Sequence, residues 1–141
     1  MKIYLDNCCF NRPFDDQSQT KIYIESQAKL EIQRRIKQGT YDLVWSYILE
    51  YENKMNPFEE RKESIIKWKK IAKENIVANE EIVGFAESLS KIGINPKDAL
   101  HISCAKYSKC EYFITTDRLL LNKTVEGIRI LNPVQFILEE G

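Results

Sequence analysis

Acidic side chains occur in this sequence at points where a predicted strand ends or a predicted helix begins. The first is Asp6, which directly follows the β-prone run Ile3 to Leu5. Ligands of open α/β sheets sit outside the carboxyl ends of the strands, so Asp6 would point into such a crevice. Aspartate also favours turns, and Asp6 taken alone fits a turn equally well. The acids in positions of this kind are Asp6, Glu50, Glu52, Asp98 and Asp117.

Acids that follow different strands should converge, because strand ends and helix starts share one edge of a parallel sheet. No Lys or Arg follows a strand end closely enough to neutralise all of them. Converging carboxylates repel one another and raise each other's pKa, and a divalent cation removes that repulsion. Oxygen ligands favour Mg²⁺ or Mn²⁺ over zinc. Such a site polarises phosphoryl oxygens and activates water, which is the chemistry of phosphodiester hydrolysis.

Two of these acids also suit the ends of helices. Asp98 comes three residues after Asn95, where a capping-box acid would sit. Asp117 could cap a short helix from Arg118 to Leu121. Each acid therefore has a purely structural alternative.

Glu50 and Glu52 cannot both face one crevice, because residues two apart on a helix point about 200° apart. Glu52 lies about one turn from both Ile48 and Met55, which define an apolar stripe. We therefore predict that Glu52 faces the site and that Glu50 is solvated.

The elements that must position these acids alternate between strand and helix. Helix caps and breakers such as Gly39, Asn79 and Asn95-Pro96 set the boundaries. Apolar residues near helical spacing support the first long helix: Ile22, Ala28 or Lys29, Ile32 and Ile36. The pattern predicts a three-layer α/β/α domain over residues 1–141, with a central, mostly parallel sheet. Predicted strands lie at 3–5, 41–45, 111–115 and 128–131, with 75–78 ambiguous, and predicted helices at 20–38, 46–55, 58–73, 79–92, 95–107 and after Pro133.

Composition narrows the function classes. The 141 residues carry 21 basic and 21 acidic side chains, so a global basic field for nucleic acid is absent. The N-terminus lacks a signal pattern and no apolar run approaches roughly 18 residues, which predicts a cytoplasmic protein without a membrane segment. The cysteines lack paired C-x-x-C spacing and are interpreted as buried free thiols: Cys8, Cys9, Cys104 and Cys110.

Other candidate residues have two interpretations each. His101, one turn after Asp98, could pair with it on a metal, but a lone histidine on an apolar helix favours a hydrogen-bonded core residue. Arg12 and Lys97 adjoin the proposed acids and could contact a phosphate or form surface salt bridges. Trp68, within the basic stretch 61–73, could stack on a base but is more typical of a core residue.

The chain resembles the PIN-domain family, a metal-dependent ribonuclease fold that includes the VapC toxins. The resemblance covers essentially the whole chain and rests on LDNCCFNRP, WSYILEYEN, NPKDALHISCA and YFITTD. It implies RNA cleavage, an antitoxin partner, and Mg²⁺ or Mn²⁺ held by Asp6, Glu52, Asp98 and Asp117. Asn7, Thr115 and Thr116 would be polar neighbours of that site. Many family members carry a further acid a few residues after the last Asp. Leu119 to Asn122 stand there in this chain, so the resemblance implies fewer ligands for a second metal ion.

We interpret the chain as a metal-dependent endoribonuclease in which an acid of the quartet activates water for in-line attack on phosphorus. A receiver-type signalling domain is one alternative, although the usual acidic pair and late lysine are missing. An inactive scaffold that binds RNA or protein is another. Ile24 and Leu30 lie off the predicted core stripe of the first long helix, so pairing with itself or a partner through that helix is also expected.

Overall fold

The computed structural model describes residues 1–140, which form five strands and eight α-helices. The strands are β1 (Lys2–Leu5), β2 (Asp42–Ser46), β3 (Glu74–Ile76), β4 (Tyr112–Ile114) and β5 (Arg129–Leu131). The helices are α1 (Asn7–Asn11), α2 (Thr20–Lys37), α3 (Tyr47–Lys54), α4 (Glu59–Ile71), α5 (Glu80–Lys91), α6 (Pro96–Tyr107), α7 (Arg118–Leu121) and α8 (Pro133–Glu140). A 3₁₀ turn at Arg12–Phe14 follows α1.

The sheet has the strand order β3-β2-β1-β4-β5, and all neighbours are parallel. Helices α2 and α8 pack against each other, as do α5 and α6. The predicted three-layer α/β/α architecture is confirmed, with a sheet that is wholly rather than mostly parallel. No helix in residues 1–140 is long and apolar enough to cross a membrane.

Side-chain caps start several helices where the sequence predicts them. Ser46 accepts a hydrogen bond from the Leu49 amide at 3.2 Å, and Asn79 accepts one from Ile82 at 2.9 Å. Asn95 accepts one from the Lys97 amide at 2.9 Å. These caps satisfy amides that the first turn of a helix leaves without partners.

The order of the strands reverses between β1 and β4, at the centre of the sheet. The chain runs outward from β1 through β2 to β3, then returns to β4 on the other side of β1. The amide of Asp6 continues the ladder by donating to the carbonyl of Ile114 at 2.9 Å. Residues after β1 and β4 therefore flank a topological switch point, the usual ligand crevice of such sheets.

Two features differ from the sequence prediction. The turn considered for Asp6 is the start of a helix, because α1 begins at Asn7 with Asp6 as its N-cap. Met55 is not part of an inward stripe: α3 ends at Lys54, and the Met55 side chain is 67% exposed. Ile48, the other member of that stripe, is buried as predicted.

Candidate metal centre

Asp6 lies at the carboxyl end of β1, and three donors surround its carboxylate. The Asn7 amide donates to Oδ1 at 2.8 Å, and the hydroxyl of Thr115 donates to Oδ2 at 2.8 Å. The Cys8 thiol lies 3.5 Å from Oδ2. This carboxylate is buried and oriented by neighbours on both strands of the switch point, so it is held in place without a cation.

Glu52 reaches the same point from α3 and contacts His101 of α6. His101 Nε2 donates a hydrogen bond to Oε1 of Glu52 and lies 3.8 Å from Oδ1 of Asp6. The other ring nitrogen, Nδ1, is 2.6 Å from the hydroxyl of Tyr4, which is 2.6 Å from Oγ of Ser46. A chain of buried polar groups from β1, β2 and α6 thus fixes the imidazole ring.

One potential ligand atom each from Asp6, Glu52 and His101 lies within 4.8 Å of the others. These three residues could hold a metal ion with two carboxylate oxygens and one imidazole nitrogen. The favoured interpretation of His101 as a buried, hydrogen-bonded residue is confirmed. The sequence did not indicate that His101 would contact Glu52 and Asp6, rather than Asp98.

Burial alone would lower the pKa of His101, because desolvation disfavours its charged form. The hydrogen bond to Glu52 and the charges of Asp6, Glu52 and Asp98 outweigh burial and raise this pKa. A protonated imidazole beside two carboxylates supplies positive charge to the cluster. The cationic partner of the acids is therefore a histidine, whereas the search for one among residues near strand ends covered only Lys and Arg.

Asp98 and Asp117 lie outside the group of three ligand atoms. Their negative charges nevertheless interact with the charges of that group. Burial, followed by the charges of Asp6 and Asp117, raises the pKa of Asp98 to about 6. Repulsion of this kind requires carboxylates that approach one another. Asp98 and Asp117 are thus charged neighbours of Asp6, but no ligand atom of either joins the group formed by Asp6, Glu52 and His101.

The structural alternatives for these two acids have different outcomes. Within residues 1–140, Asp98 makes no capping hydrogen bond back to Asn95, whose own side chain caps α6. Asp117 does cap α7, since its Oδ1 accepts from the Leu119 amide at 2.9 Å. Only one oxygen of Asp117 is used in this way, and the other remains for a ligand.

The predicted polar neighbours divide into two groups. Thr115 links two acids, because its hydroxyl donates to Asp6 and accepts from the Asp117 amide at 3.1 Å. Asn7 donates its backbone amide to Asp6. The amide of Thr116 contacts the Cys8 thiol at 3.3 Å instead of an acid. Thr115 and Asn7 thus touch the cluster, and Thr116 lies one contact away from it.

Arg12 is not positioned to contact a phosphate at this site. Its guanidinium pairs with buried Glu25 at 3.0 Å and with Asp15 at 3.2 Å, beyond the end of α1. Arg12 therefore takes the salt-bridge role that the sequence left open, because α1 carries it away from the sheet edge. Lys97 remains exposed at the start of α6, beside the groove that borders Glu52.

Glu50 points away from the cluster, as predicted, although it is paired rather than simply solvated. Lys69 and Lys54 both form ion pairs with it. The hydrogen bond from Lys69 lowers the pKa of Glu50. Glu52 is therefore the α3 acid that the structure brings to Asp6.

All four cysteines are free thiols, and three are buried as predicted. Cys8 is only half-buried, and its sulfur lies 3.4 Å from the hydroxyl of Thr115 beside Asp6. The sequence analysis did not connect this thiol with the acidic site. Its position two residues after Asp6, in the first turn of a helix that Asp6 caps, was the available signal.

Solved structures with the same fold were found by comparison. VapBC2 from Rickettsia felis, bound to a DNA fragment from its promoter, matches with a TM-score of 0.58, 14% identity, and coverage of 94% of this chain and 98% of that chain. FitAcB from Neisseria gonorrhoeae matches with a TM-score of 0.59 and 12% identity, and the match covers 94% of this chain and 98% of that chain. VapBC-1 from nontypeable Haemophilus influenzae matches with a TM-score of 0.60 and 18% identity, and the match covers 95% of this chain and 99% of that chain. These values show a shared fold.

No family model matches the chain, and no curated protein matches it. The assignment to the PIN-domain family made from the sequence is corrected on these findings. The matched structures are only 12–18% identical to this chain, and their names denote VapBC and FitAcB assemblies without singling out a VapC component. Short motifs around acids can recur wherever strands end at one edge of a parallel sheet. Such motifs alone therefore do not establish membership of a family.

Proposed function

We propose that this protein is a metal-dependent hydrolase of RNA phosphodiester bonds. The observation that carries the proposal is the meeting of Asp6, Glu52 and His101 at the sheet's switch point. Asp98 and Asp117 add negative charge around that point. A cluster this acidic in a crevice suits a cation and a substrate that the cation attracts.

The residues present fit a divalent metal ion. Asp6 and Glu52 offer carboxylate oxygens, which Mg²⁺ and Mn²⁺ prefer. His101 Nε2 would join them only after releasing its proton and its hydrogen bond to Glu52. Asp98 and Asp117 would complete the ligands through oxygens or through water. When bound, the ion supplies Lewis-acid stabilisation of charge on the phosphoryl group and activation of water.

The chain's own side chains orient the site and handle the proton. Thr115 and the Asn7 amide hold the Asp6 carboxylate, and His101 holds Glu52 by a hydrogen bond from Nε2. Where Asp98 meets the ion through water, its carboxylate would be able to accept the proton that the attacking water loses. Burial of Asp6 and His101 keeps bulk water from screening these charges.

The shared fold supports a second part of the proposal, a protein partner. VapBC and FitAcB are named as assemblies, and this chain covers nearly the full length of the chains that match. We propose that a second protein binds this chain as the antitoxin of a toxin–antitoxin pair. Copurification of the chain with the product of an adjacent small reading frame would test this part separately.

Replacing Asp6 by Asn tests the metal-dependent mechanism. Asp6→Asn removes a ligand charge while keeping the shape, so we expect at least a 100-fold loss of RNA cleavage with Mn²⁺. Mn²⁺ should raise the melting temperature of the wild type, since binding to the folded state stabilises it, and should not raise that of the variant. Cleavage assays and thermal melts with and without excess chelator measure both effects.

The metal-free variant should remain folded, because Asn keeps the shape of Asp6 and removes one repulsion with Asp98. Unchanged cleavage by Asp6→Asn, or cleavage that persists in excess chelator, would contradict the proposed mechanism. Metal binding without cleavage of any RNA would instead favour an inactive scaffold.

A further inference from the structure

An open groove borders the acidic cluster on the side of α3 and the start of α4. Its volume is about 410 Å³, and Asn7 and Glu52 line it as well as belonging to the site. The groove is therefore continuous with the proposed reaction centre. The lining residues used below are Asn11, Tyr51, Met55, Asn56, Phe58, Arg61 and Lys97.

Two aromatic side chains of the groove are exposed to an unusual degree. Tyr51 is 53% exposed and Phe58 is 55% exposed, although large aromatic residues are normally buried. The nearby Met55 side chain is also exposed. Exposed aromatic faces beside a polar cleft suit a flat, partly polar partner such as a nucleic-acid base.

Arg61 and Lys97 are the basic side chains that line the groove. The guanidinium of Arg61 lies 4.5 Å from the centre of the Phe58 ring and is held by Asp15 at 3.2 Å and by the Phe14 carbonyl at 2.8 Å. Lys97 is exposed and forms no ion pair within residues 1–140. Arg61 is already paired with Asp15, so Lys97 is the cation available to a phosphate that the carboxylates alone would repel.

The floor of the groove is formed by side-chain amides. The Asn56 amide donates to Oδ1 of Asn11 at 3.1 Å, and the Asn11 amide donates to the Asn7 carbonyl at 3.1 Å. This network orders two side-chain amides that line the groove. Amides can hydrogen-bond the edges of bases, which neither an apolar peptide groove nor a lipid site requires.

We propose that this groove is a subsite for one unpaired nucleotide next to the scissile phosphate, with its base stacked on Tyr51 or Phe58 and a phosphate near Lys97. The proposal rests on the proposed RNA hydrolysis and specifies a single-stranded substrate. A base inside a duplex is already stacked and cannot present its face to these rings. Single-stranded RNA is therefore bound here and double-stranded RNA is excluded.

Binding of a labelled RNA oligonucleotide in excess chelator tests the subsite without cleavage. Fluorescence anisotropy should show single-stranded RNA binding more tightly than a duplex of the same sequence. Tyr51→Leu and Phe58→Leu should each weaken binding of the single strand about fivefold or more, as the loss of one stacking partner predicts. Tyr51→Phe should retain binding, because it keeps the ring.

Tyr107→Leu is the matched control, since Tyr107 is an exposed tyrosine at the far end of α6. It should bind RNA as the wild type does, and circular dichroism should show that all variants fold. Equal binding by wild type, Tyr51→Leu and Phe58→Leu, or no binding of single strands at all, overturns the subsite even if RNA is cleaved. Tyr51-dependent binding without Mn²⁺-dependent cleavage overturns the proposed hydrolysis and leaves the subsite standing.

Discussion

His101 explains how several acids coexist in the folded protein before a cation binds. Its imidazole is almost fully buried, donates to Glu52 and lies 3.8 Å from Asp6. The raised pKa of this ring means that it carries a proton more readily than a free histidine would. A metal ion that entered the cluster would compete with that proton for the same carboxylates.

The two glutamates of α3 offer a matched pair of substitutions. Glu52→Gln removes a carboxylate that contacts His101 in the cluster, so we expect at least a 100-fold loss of RNA cleavage and of Mn²⁺ stabilisation. Glu50→Gln removes only surface ion pairs with Lys54 and Lys69, so cleavage should change less than about threefold. Steady-state cleavage assays compare them. Equal losses from both variants would contradict the assignment of Glu52.

Asp98 should make metal binding depend on pH. Its pKa of about 6 means that a proton occupies the carboxyl group in much of the metal-free protein below pH 6. A cation must displace that proton and compete with the proton on His101, so the apparent affinity for Mn²⁺ should rise from pH 5 to pH 7 and keep rising until His101 is neutral. Calorimetric titrations at several pH values measure this.

Asp98→Asn is the control for that titration, since it cannot bind the proton. Its affinity for Mn²⁺ should be weaker at pH 7 and should vary less between pH 5 and pH 7. An identical pH profile for wild type and variant would show that another group controls the linkage.

Residues of the site differ in how far sequence could predict them. Asp6 and Asp117 follow from strand ends alone, and Glu52 follows from the helical angle that separates it from Glu50. The prediction that Met55 faces inward beside Glu52 was wrong, because α3 ends at Lys54 and the Met55 side chain is exposed. The contact between Glu52 and His101 spans 49 positions and depends on how α3 packs on α6, which no local pattern specifies.

At the scale of elements, α2 contains a buried cation that the apolar stripe only partly anticipated. Lys29, offered there as an alternative to Ala28, is 3% exposed. Its Nζ lies 5.2 Å from the centre of the Phe10 ring and 6.0 Å from that of Trp68. These aromatic faces offset only part of the cost of burying an ammonium group. Trp68 is itself buried, so it cannot stack on a nucleic-acid base.

Lys29 should lower the stability of the protein at neutral pH. Burial lowers its pKa from the ordinary 10.5 to about 7, so the unfolded state binds more protons between these values and stability rises with pH. Lys29→Met should therefore be more stable than wild type at pH 7, by an amount that falls by up to roughly 1.4 kcal/mol per pH unit toward pH 10.5. Urea unfolding from pH 7 to pH 10 measures the difference.

Lys37→Met provides the control, because Lys37 also lies over the Trp68 ring but is exposed. Its stability relative to wild type should not change with pH. A pH-independent gain for Lys29→Met would show that Lys29 keeps its proton in the folded state with its charge compensated, and would contradict the lowered pKa.

The short helix α1 was not predicted, although every longer helix was. Five residues are too few to show a helical period, and Asn7 is common in turns. The deciding interactions are the cap by Asp6 and the tertiary packing of buried Cys9 and Phe10. The ring of Phe10 packs edge-on against Trp45 of β2, a contact that sequence spacing does not reveal.

At the scale of the whole molecule, alternation of strands and helices was sufficient to predict the fold class. Parallel strands joined by helices have few allowed arrangements, because such crossovers are right-handed. The position of β4 beside β1 could not be read from the sequence, yet this order places Asp6 and Asp117 at one crevice. The site therefore depends on a global property of the sheet rather than on any motif.

The exposed face of α2 gives the last prediction, which concerns assembly. Ile24 and Leu30 are 48% and 44% exposed, and the neighbouring Tyr23 is also exposed, on a helix of 18 residues, roughly 27 Å long at 1.5 Å per residue. Leu30 lies two turns after Tyr23 on the same side of the helix, and Ile24 lies about 100° around the axis from Tyr23. Exposed apolar side chains on a helix are typical of an interaction surface. We expect the purified protein to form a dimer in light-scattering measurements at high concentration. The double variant Ile24→Glu/Leu30→Glu should shift it to a monomer, because opposed carboxylates repel across an interface.

Val77→Glu is the control for added charge, since Val77 is an exposed apolar residue outside α2. This variant should remain a dimer. Both variants should still unfold cooperatively in thermal melts at the same protein concentration, which shows that they are folded. A wild type that stays a monodisperse monomer at high concentration would contradict self-pairing. In that case we expect the exposed residues of α2 to bind a different protein. A partner that copurifies with the wild type but not with the double variant would identify α2 as the interface.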